Sequence, residues 1–424
     1  MFLALGFLDV KLPLLIMIAF STRVIYFHGS LSAMMMTALV LMFVSVCLFF
    51  YFRFCLNQFE IKKTNLNLPM AVFLGLASIQ AIRGLLLSNP VKWVGTEYVA
   101  YLGFGSVFFM ITIWDSEETI KKFFQFLVVV AYYHALVGLW NYFQVGHRIG
   151  GYLFGTFPSL IALVLLNLSF YARERSQKAK YILLALPLVL HLVFSFTRGY
   201  WLGFLVALLF SYGICIANSD QPFRHRALRF VGGVGLSIAA FVMVMFISQA
   251  FLPGVSVFSQ ISHRFKSSFS TKFSPETGSN VARLIEYKVS WNKIKESPIL
   301  GHGVGSTFNI INPARHRRFE EWGIHQFYMM ITMKMGLIGL FSFLWIYYVF
   351  FREGLRGSRM IEDSYSKGLA YGFMANSVEQ LVISFTNHQF ATVDNNFYLA
   401  FTMAGVMVLI SRGTRGQTWT YQSS

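Results

Sequence analysis

The sequence predicts an all-α, polytopic integral membrane protein of about 12 transmembrane helices, from span length, composition and periodicity. Hydrophobic residues make up 56% of the 424-residue chain and charged residues only 12%, whereas a soluble globular chain carries about 25% charged residues. Mean hydropathy is +0.57. Apolar stretches of about 20 residues, the length that crosses a hydrocarbon core, recur along the chain. They stop once, between Leu252 and Ile324, where a basic segment punctuated by glycine and proline intervenes.

Hydropathy places the spans near 8–27, 30–52, 68–88, 97–114, 122–145, 150–171, 181–197, 199–217, 228–250, 326–351, 366–385 and 395–411. The chain thus divides into residues 1–251 with nine helices, an outer loop at 252–325, and residues 326–424 with three helices and an inner tail. No small-residue cleavage site follows the first apolar run, so that span is expected to be retained. Orientation follows from the distribution of positive charge. With the N-terminus inside, inner segments hold Lys62, Lys63, Lys121, Lys122, Arg173, Arg175, Lys178, Lys180, Arg352, Arg356 and Arg359, among others. The short outer segments and their flanking span ends hold only Arg23, Arg83, Lys92, Arg148 and Arg198. Both ends are therefore expected inside, with the long loop outside. Cys47, Cys55 and Cys215 lie in or beside apolar spans, so the loop has neither a disulfide framework nor a cysteine zinc site.

The outer basic residues ask for a reason that topology does not supply. In the loop, Arg264, Lys266, Lys272, Arg283, Lys288, Lys293, Lys295, Arg315, Arg317 and Arg318 face only Glu276, Glu286, Glu296, Glu320 and Glu321. One such residue is ordinarily a solvated contact to membrane-lipid headgroups. Together they suit a phosphate-bearing lipid, because the planar guanidinium fork of arginine holds phosphate oxygens bidentately and keeps its charge. The outer acidic residues are scattered and do not converge as a hard cation requires. No metal, cofactor or nucleic-acid partner is expected.

One amphipathic helix is legible inside the loop. Ser279 or Asn280 caps it, and Val281–Glu296 spaces Leu284, Tyr287, Trp291 and Ile294 by three, four and three, with Arg283, Lys288, Lys293 and Lys295 on other faces. It is expected to lie on the membrane or roof the bundle. Pro298 ends it. Gly301-His302-Gly303-Val304-Gly305 follows no strand, so it is read as a tight turn with close backbone approach rather than a nucleotide-binding loop. His325 then ends the loop where the tenth span opens. A lone histidine is more often structural, but imidazole exchanges protons near neutral pH, and this one stands at the outer mouth beside the basic loop. His302 and His316 are weaker rivals. His388 and Asp394, between the last two spans, either hydrogen-bond span ends or contact a substrate.

These residues resemble a known family. His325, ten intervening residues and Gly336 resemble the His-x(10)-Gly motif of the O-antigen ligase and polymerase superfamily. Thr197-Arg198-Gly199 resembles its Ser-Arg-Gly element. Arg283 through Trp291 to Pro298-Ile299-Leu300-Gly301-His302-Gly303 resembles its Arg…Trp…Pro-x-x-Gly-x-Gly stretch. Arg148-Ile149-Gly150-Gly151 with Gly155-Thr156-Phe157-Pro158 resembles a further segment, although its Asn-Pro-Asn is absent here.

The resemblance implies a metal-independent, inverting glycosyltransferase of the GT-C type in the bacterial inner membrane. It moves a glycan from undecaprenyl pyrophosphate to a sugar hydroxyl at the periplasmic face. It implies that Arg198 and Arg283 bind the donor pyrophosphate and that His325 is the general base. Arg148, Arg23, His302, Arg315, Arg318 and Asp394 are further candidates around the cavity. An O-antigen ligase, whose acceptor is lipid A-core, is preferred for the compact outer surface with one long loop and the near-complete motif set. A polymerase, whose acceptor is another lipid-linked repeat, is the alternative. A permease is disfavoured, because no internal repeat and no paired broken spans are evident.

Overall fold

The computed structural model describes residues 62–114, 116–145, 156–195, 197–218, 228, 278–312 and 317–413. In order, the elements are α1 (Asn67–Leu86), α2 (Val91–Leu102), a 3-10 turn, α3 (Ser106–Ile113), α4 (Glu117–Val145), α5 (Phe157–Tyr171), α6 (Arg175–Phe194) and α7 (Arg198–Ala217). Then follow α8 (Gly278–Glu296), β1 (Phe308–Asn312), β2 (Arg317–Glu321), α9 (Phe327–Ser358), α10 (Ser364–Ile383), a second 3-10 turn, and α11 (Val393–Gly413). Among the described residues, six helical stretches are long and apolar enough to cross a membrane. The protein is a mostly helical, polytopic membrane protein. The expected spans at 8–27, 30–52 and, beyond its first residue, 228–250 lie outside the described residues, as do Arg23, Arg148, Arg315 and His316. A two-stranded antiparallel hairpin, which an all-α class does not include, pairs Phe308 with Glu321 and Asn312 with Arg317.

Helix α10 is polar yet well enclosed, with Asn376, Ser377, Glu379 and Gln380 all at 0% exposure. Without a hydrophobic drive between helices in lipid, small residues decide which backbones approach closely. Gly368 and Gly372 of α10 lie on the backbone of Leu168 and Val164 in α5. On another side, Gly199 and Gly203 of α7 lie on Thr386 and on Ile383 with the Glu379 carbonyl. The Arg198-Gly199 element is thereby explained: its glycine seats the start of α7 against the segment that leads to His388.

The feature that fixes the loop is a break in α9. Gly336 has φ 69° and ψ −173°, a backbone state open to glycine and strained for any L side chain. A Cβ there would also fall on the Ile299 carbonyl. The break frees backbone groups that cannot stay unpaired at membrane depth, and the Pro298–Gly305 stretch takes them up. His302 N–H donates to Met333 O and Gly303 N–H to Lys334 O, both at 2.9 Å, while Leu337 N–H donates to Pro298 O at 2.9 Å. Gly301, Gly303 and Gly305 adopt positive φ here, as a tight-turn reading of this stretch expects. From α1, Gln80 Nε2 donates to Leu300 O at 2.9 Å and Arg83 Nη1 to the same oxygen at 3.0 Å. Asn89 Nδ2 donates to His302 O and Val304 O, each at 3.1 Å.

A buried ion pair closes this seam. Lys334 of α9 and Glu97 of α2, both 0% exposed, are joined directly. Lys334 Nζ also donates to Trp322 O at 2.7 Å, and the second Glu97 oxygen accepts from Gly305 N–H at 2.9 Å. Trp322 stacks on Trp93 with centroids 4.9 Å apart and covers the pair. A buried pair is weak evidence for net stability, but removing one partner strands the other charge at a cost of about 3–5 kcal/mol. Lys334→Met is therefore expected to lower thermal stability in detergent sharply, and Lys334→Met with Glu97→Met to recover much of the loss. Equal stability of the single variant and wild type would contradict this.

Candidate functional site

The loop helix α8 turns a polar face inward. Glu286, Ser290 and Ile294 are 5%, 0% and 6% exposed, while Leu284 and Trp291 are 52% and 53% exposed. This corrects the expected apolar face: Tyr287 and Ile294 do pack inward, but Leu284 and Trp291 do not. The cause is a polar partner across the gap. Glu286 accepts from the His325 ring at Nδ1, with Oε2 at 2.9 Å and Oε1 at 3.2 Å, and from the His325 backbone N–H at 3.2 Å. Tyr287 OH donates to the His325 carbonyl at 3.1 Å. The next residue, Gln326, caps α9 by accepting from Met329 N–H at 2.6 Å, and Phe327 N–H donates to Ser384 O at 2.9 Å. His325 is thus fixed from α8, from its own helix and from the end of α10.

This arrangement has a chemical consequence. A carboxylate on Nδ1 holds the proton at that nitrogen and leaves Nε2 with its lone pair outward, the tautomer a base requires. His325 keeps 30% side-chain exposure, while Glu286 keeps only 7%. Glu321, at the end of β2, lies in the same field. Burial and the Glu286 carboxylate raise its pKa above the ordinary carboxylate range, and His325 partly offsets them.

His388 completes the wall. Its ring lies edge-on to His325 with centroids 5.5 Å apart and to Trp322 at 6.0 Å. Its Nδ1 is covered and has no hydrogen-bond partner among the described residues. Burial pushes His388 down to about 4, with His325, Lys334 and Arg283 lowering it further and Glu286 opposing. Arg283, one turn before Glu286, thus acts on the same centre, and its Nε is buried without a partner among the described residues. A guanidinium can hold an anion through its planar fork and keeps its charge while doing so.

The structure therefore brings His325, Arg283 and His388 to one place. Arg198 opens α7 where Gly199 meets Thr386, two residues before His388. His302 is turned elsewhere, its Nε2 2.7 Å from the Lys293 carbonyl, which is a structural contact holding the glycine turn to the end of α8. Arg318 lies in β2 opposite Ile311, and Asp394 lies in the first turn of α11. Among the described residues, no three of His, Cys, Asp and Glu are grouped to hold a metal ion. Sequence reasoning missed Glu286 as a site residue. The available signal was its position three residues after Arg283, on the same helical face.

Residues 182–344 match the family model described as O-antigen ligase. Over that stretch the resemblance to the O-antigen ligase superfamily is shown. The match begins in α6, takes in Arg198, Arg283, Glu286 and His325, and ends in α9 beyond the break at Gly336. No curated protein matches the chain.

The depressed His388 value has a measurable sign. Its unfolded value is about 6.5, so the unfolded chain binds this proton first as pH falls. His388's share of stability is complete above about 6.5 and is lost as pH drops toward about 4. The thermal midpoint should fall across that window, and His388→Gln should flatten this part of the profile. An identical slope in the variant would contradict a buried, neutral His388.

Proposed function

We propose that the protein transfers a glycan from undecaprenyl pyrophosphate to a sugar hydroxyl at the outer face of a bacterial inner membrane, as a metal-independent, inverting GT-C-type glycosyltransferase. One observation carries this reading: His325, held at Nδ1 by buried Glu286, stands in the same wall as Arg283, whose covered Nε lacks a partner among the described residues. Inverting transfer needs a base on one side of the anomeric carbon and charge stabilisation of the leaving group on the other. His325 Nε2 takes the acceptor hydroxyl proton while that oxygen forms a bond to the anomeric carbon. The bond to the pyrophosphate oxygen breaks, and its electron pair leaves with undecaprenyl pyrophosphate. Arg283 and Arg198 hold that developing charge, so no acid is required at the leaving oxygen. His325, now protonated, is stabilised by Glu286 until it returns the proton to water.

Of the two acceptors, lipid A-core is favoured over a second lipid-linked repeat, because one long loop over a compact outer surface matches the ligase motif set. Deleting the gene and examining lipopolysaccharide on a gel separates the two. Polymer lost from the core while lipid-linked polymer accumulates is the ligase outcome, and single-repeat material is the polymerase outcome. With purified protein in chelator-containing buffer, wild type should transfer glycan. His325→Ala should lose about 10²–10⁴-fold in turnover with donor binding retained. Arg283→Ala and Arg198→Ala should lose donor affinity, and lysine at either site should restore it only in part. Near-normal turnover of His325→Ala, or a strict requirement for added divalent ion, would overturn the mechanism.

A further inference from the structure

A further group of charged residues lies at the end of the bundle opposite His325. A cavity of about 500 Å³ opens where the last turn of α5 meets the starts of α6 and α10. Helix α10 runs from this cavity at Ser364 to the His325 end, and its 20 residues span ~30 Å, the thickness of a hydrocarbon core. The cavity and the His325 centre therefore lie at opposite ends of α10.

The cavity floor is apolar, with Leu168 and Ala172 at 2% and 9% exposure. Its rim carries charge of both signs: Arg173 and Lys180 against Glu174 and Asp363. A positive-inside bias accounts for the basic residues at this end, but not for their pairing. Nearby, Lys121 pairs with Glu117 at 2.6 Å and Asp363 at 3.5 Å, and Lys122 pairs with Glu118 at 3.7 Å. Arg173 and Lys180 make no ion pair among the described residues, although two carboxylates line the same cavity. Those carboxylates are each engaged through one oxygen. Asp363 Oδ2 accepts from Ser366 N–H at 2.9 Å and Ser366 Oγ at 2.7 Å, and Glu174 Oε2 accepts from Ser176 Oγ at 3.3 Å. Tyr181 and Tyr365, both half-buried, complete the wall with rings of the kind that settle at headgroup depth.

We propose that this cavity binds the headgroup of a phospholipid carrying both a phosphate diester and a primary ammonium, that is, a phosphoethanolamine lipid. The phosphate sits on Arg173 and Lys180, and the ammonium donates to the remaining oxygens of Glu174 and Asp363. A purely anionic headgroup would supply no donor to the remaining oxygens of Glu174 and Asp363. A choline headgroup has no N–H to donate. The apolar floor receives the glycerol and first methylenes, which a free phosphate lacks. This inference is independent of the glycosyl-transfer reading.

The test is lipid retention by the purified full-length protein, measured by native mass spectrometry with phosphatidylethanolamine, phosphatidylglycerol and phosphatidylcholine. Phosphatidylethanolamine should be retained ~10-fold better than phosphatidylcholine, the size of one charge-assisted hydrogen bond, and better than phosphatidylglycerol. Arg173→Gln with Lys180→Gln should lower its retention ~10-fold or more, and Glu174→Gln should erase the preference over phosphatidylcholine. All three positions are exposed, so the variants should fold, and their helix content and elution should match wild type. Asp363 is left intact because it caps α10. Equal retention of the three lipids, preference for phosphatidylglycerol, or an unaffected double variant would overturn the proposal. Displacement of phosphatidylethanolamine by millimolar inorganic phosphate would make this a free-anion site and would also overturn it.

Discussion

The interruption of α9 at Gly336 is the constraint on which the rest of the outer structure depends. A helix broken at membrane depth needs new partners for its freed carbonyls and N–H groups, and a segment that brings its own backbone to close range supplies both donors and acceptors. Pro298–Gly305 meets this need because its glycines admit positive φ and bring no Cβ into the seam. The spacing from His325 to Gly336 follows from the same cause. It is the distance from the mouth of α9 to the point where the returning chain from α8 locks in.

Once the loop is locked, α8 has little freedom, and its inward face must satisfy what it covers. That face presents Arg283, Glu286 and Ser290 in place of a continuous apolar stripe. Glu286 is buried and paired with His325, while Arg283 Nε is buried and unpartnered among the described residues. A small apolar cluster of Ile294, Phe308, Ile310, Ile324, Met330 and Met333 supports it from beneath. The Lys334–Glu97 pair, covered by the stacked Trp93 and Trp322, ties this roof to α2. Polar groups are thus concentrated where lipid would make them costly, and Glu286 and Tyr287 among them bond His325 directly.

Much of this was legible in the sequence where a local rule decides it. Apolar length located each described span, and the Gly301–Gly305 run was readable as a turn, because glycine at such density serves backbone geometry. His325 stood out because it ends the basic loop at the mouth of the bundle, whereas Arg283 was distinguished from the other loop cations only by the resemblance to the O-antigen ligase superfamily. Glu286 did not, since its meaning comes from a partner 39 residues away in sequence. The inward face of α8 was misread for a related reason. Periodicity finds an apolar stripe but cannot say whether protein or its surroundings meet it, and Leu284 and Trp291 face outward. The hairpin was missed because its second strand, Arg317–Glu321, is almost wholly charged, leaving only the alternation of Phe308 and Ile310 as a signal.

The central claim is that Glu286 acts through His325, by fixing the tautomer that exposes Nε2. A double-mutant cycle on the rate of glycan transfer tests this most directly. Glu286→Gln alone should slow transfer by ~10²-fold or more, with donor binding preserved and Glu286→Asp restoring part of the rate. In a His325→Ala background, Glu286→Gln should add no further loss. Fully multiplicative losses, with the double variant slower than His325→Ala by the whole Glu286→Gln factor, would contradict the account.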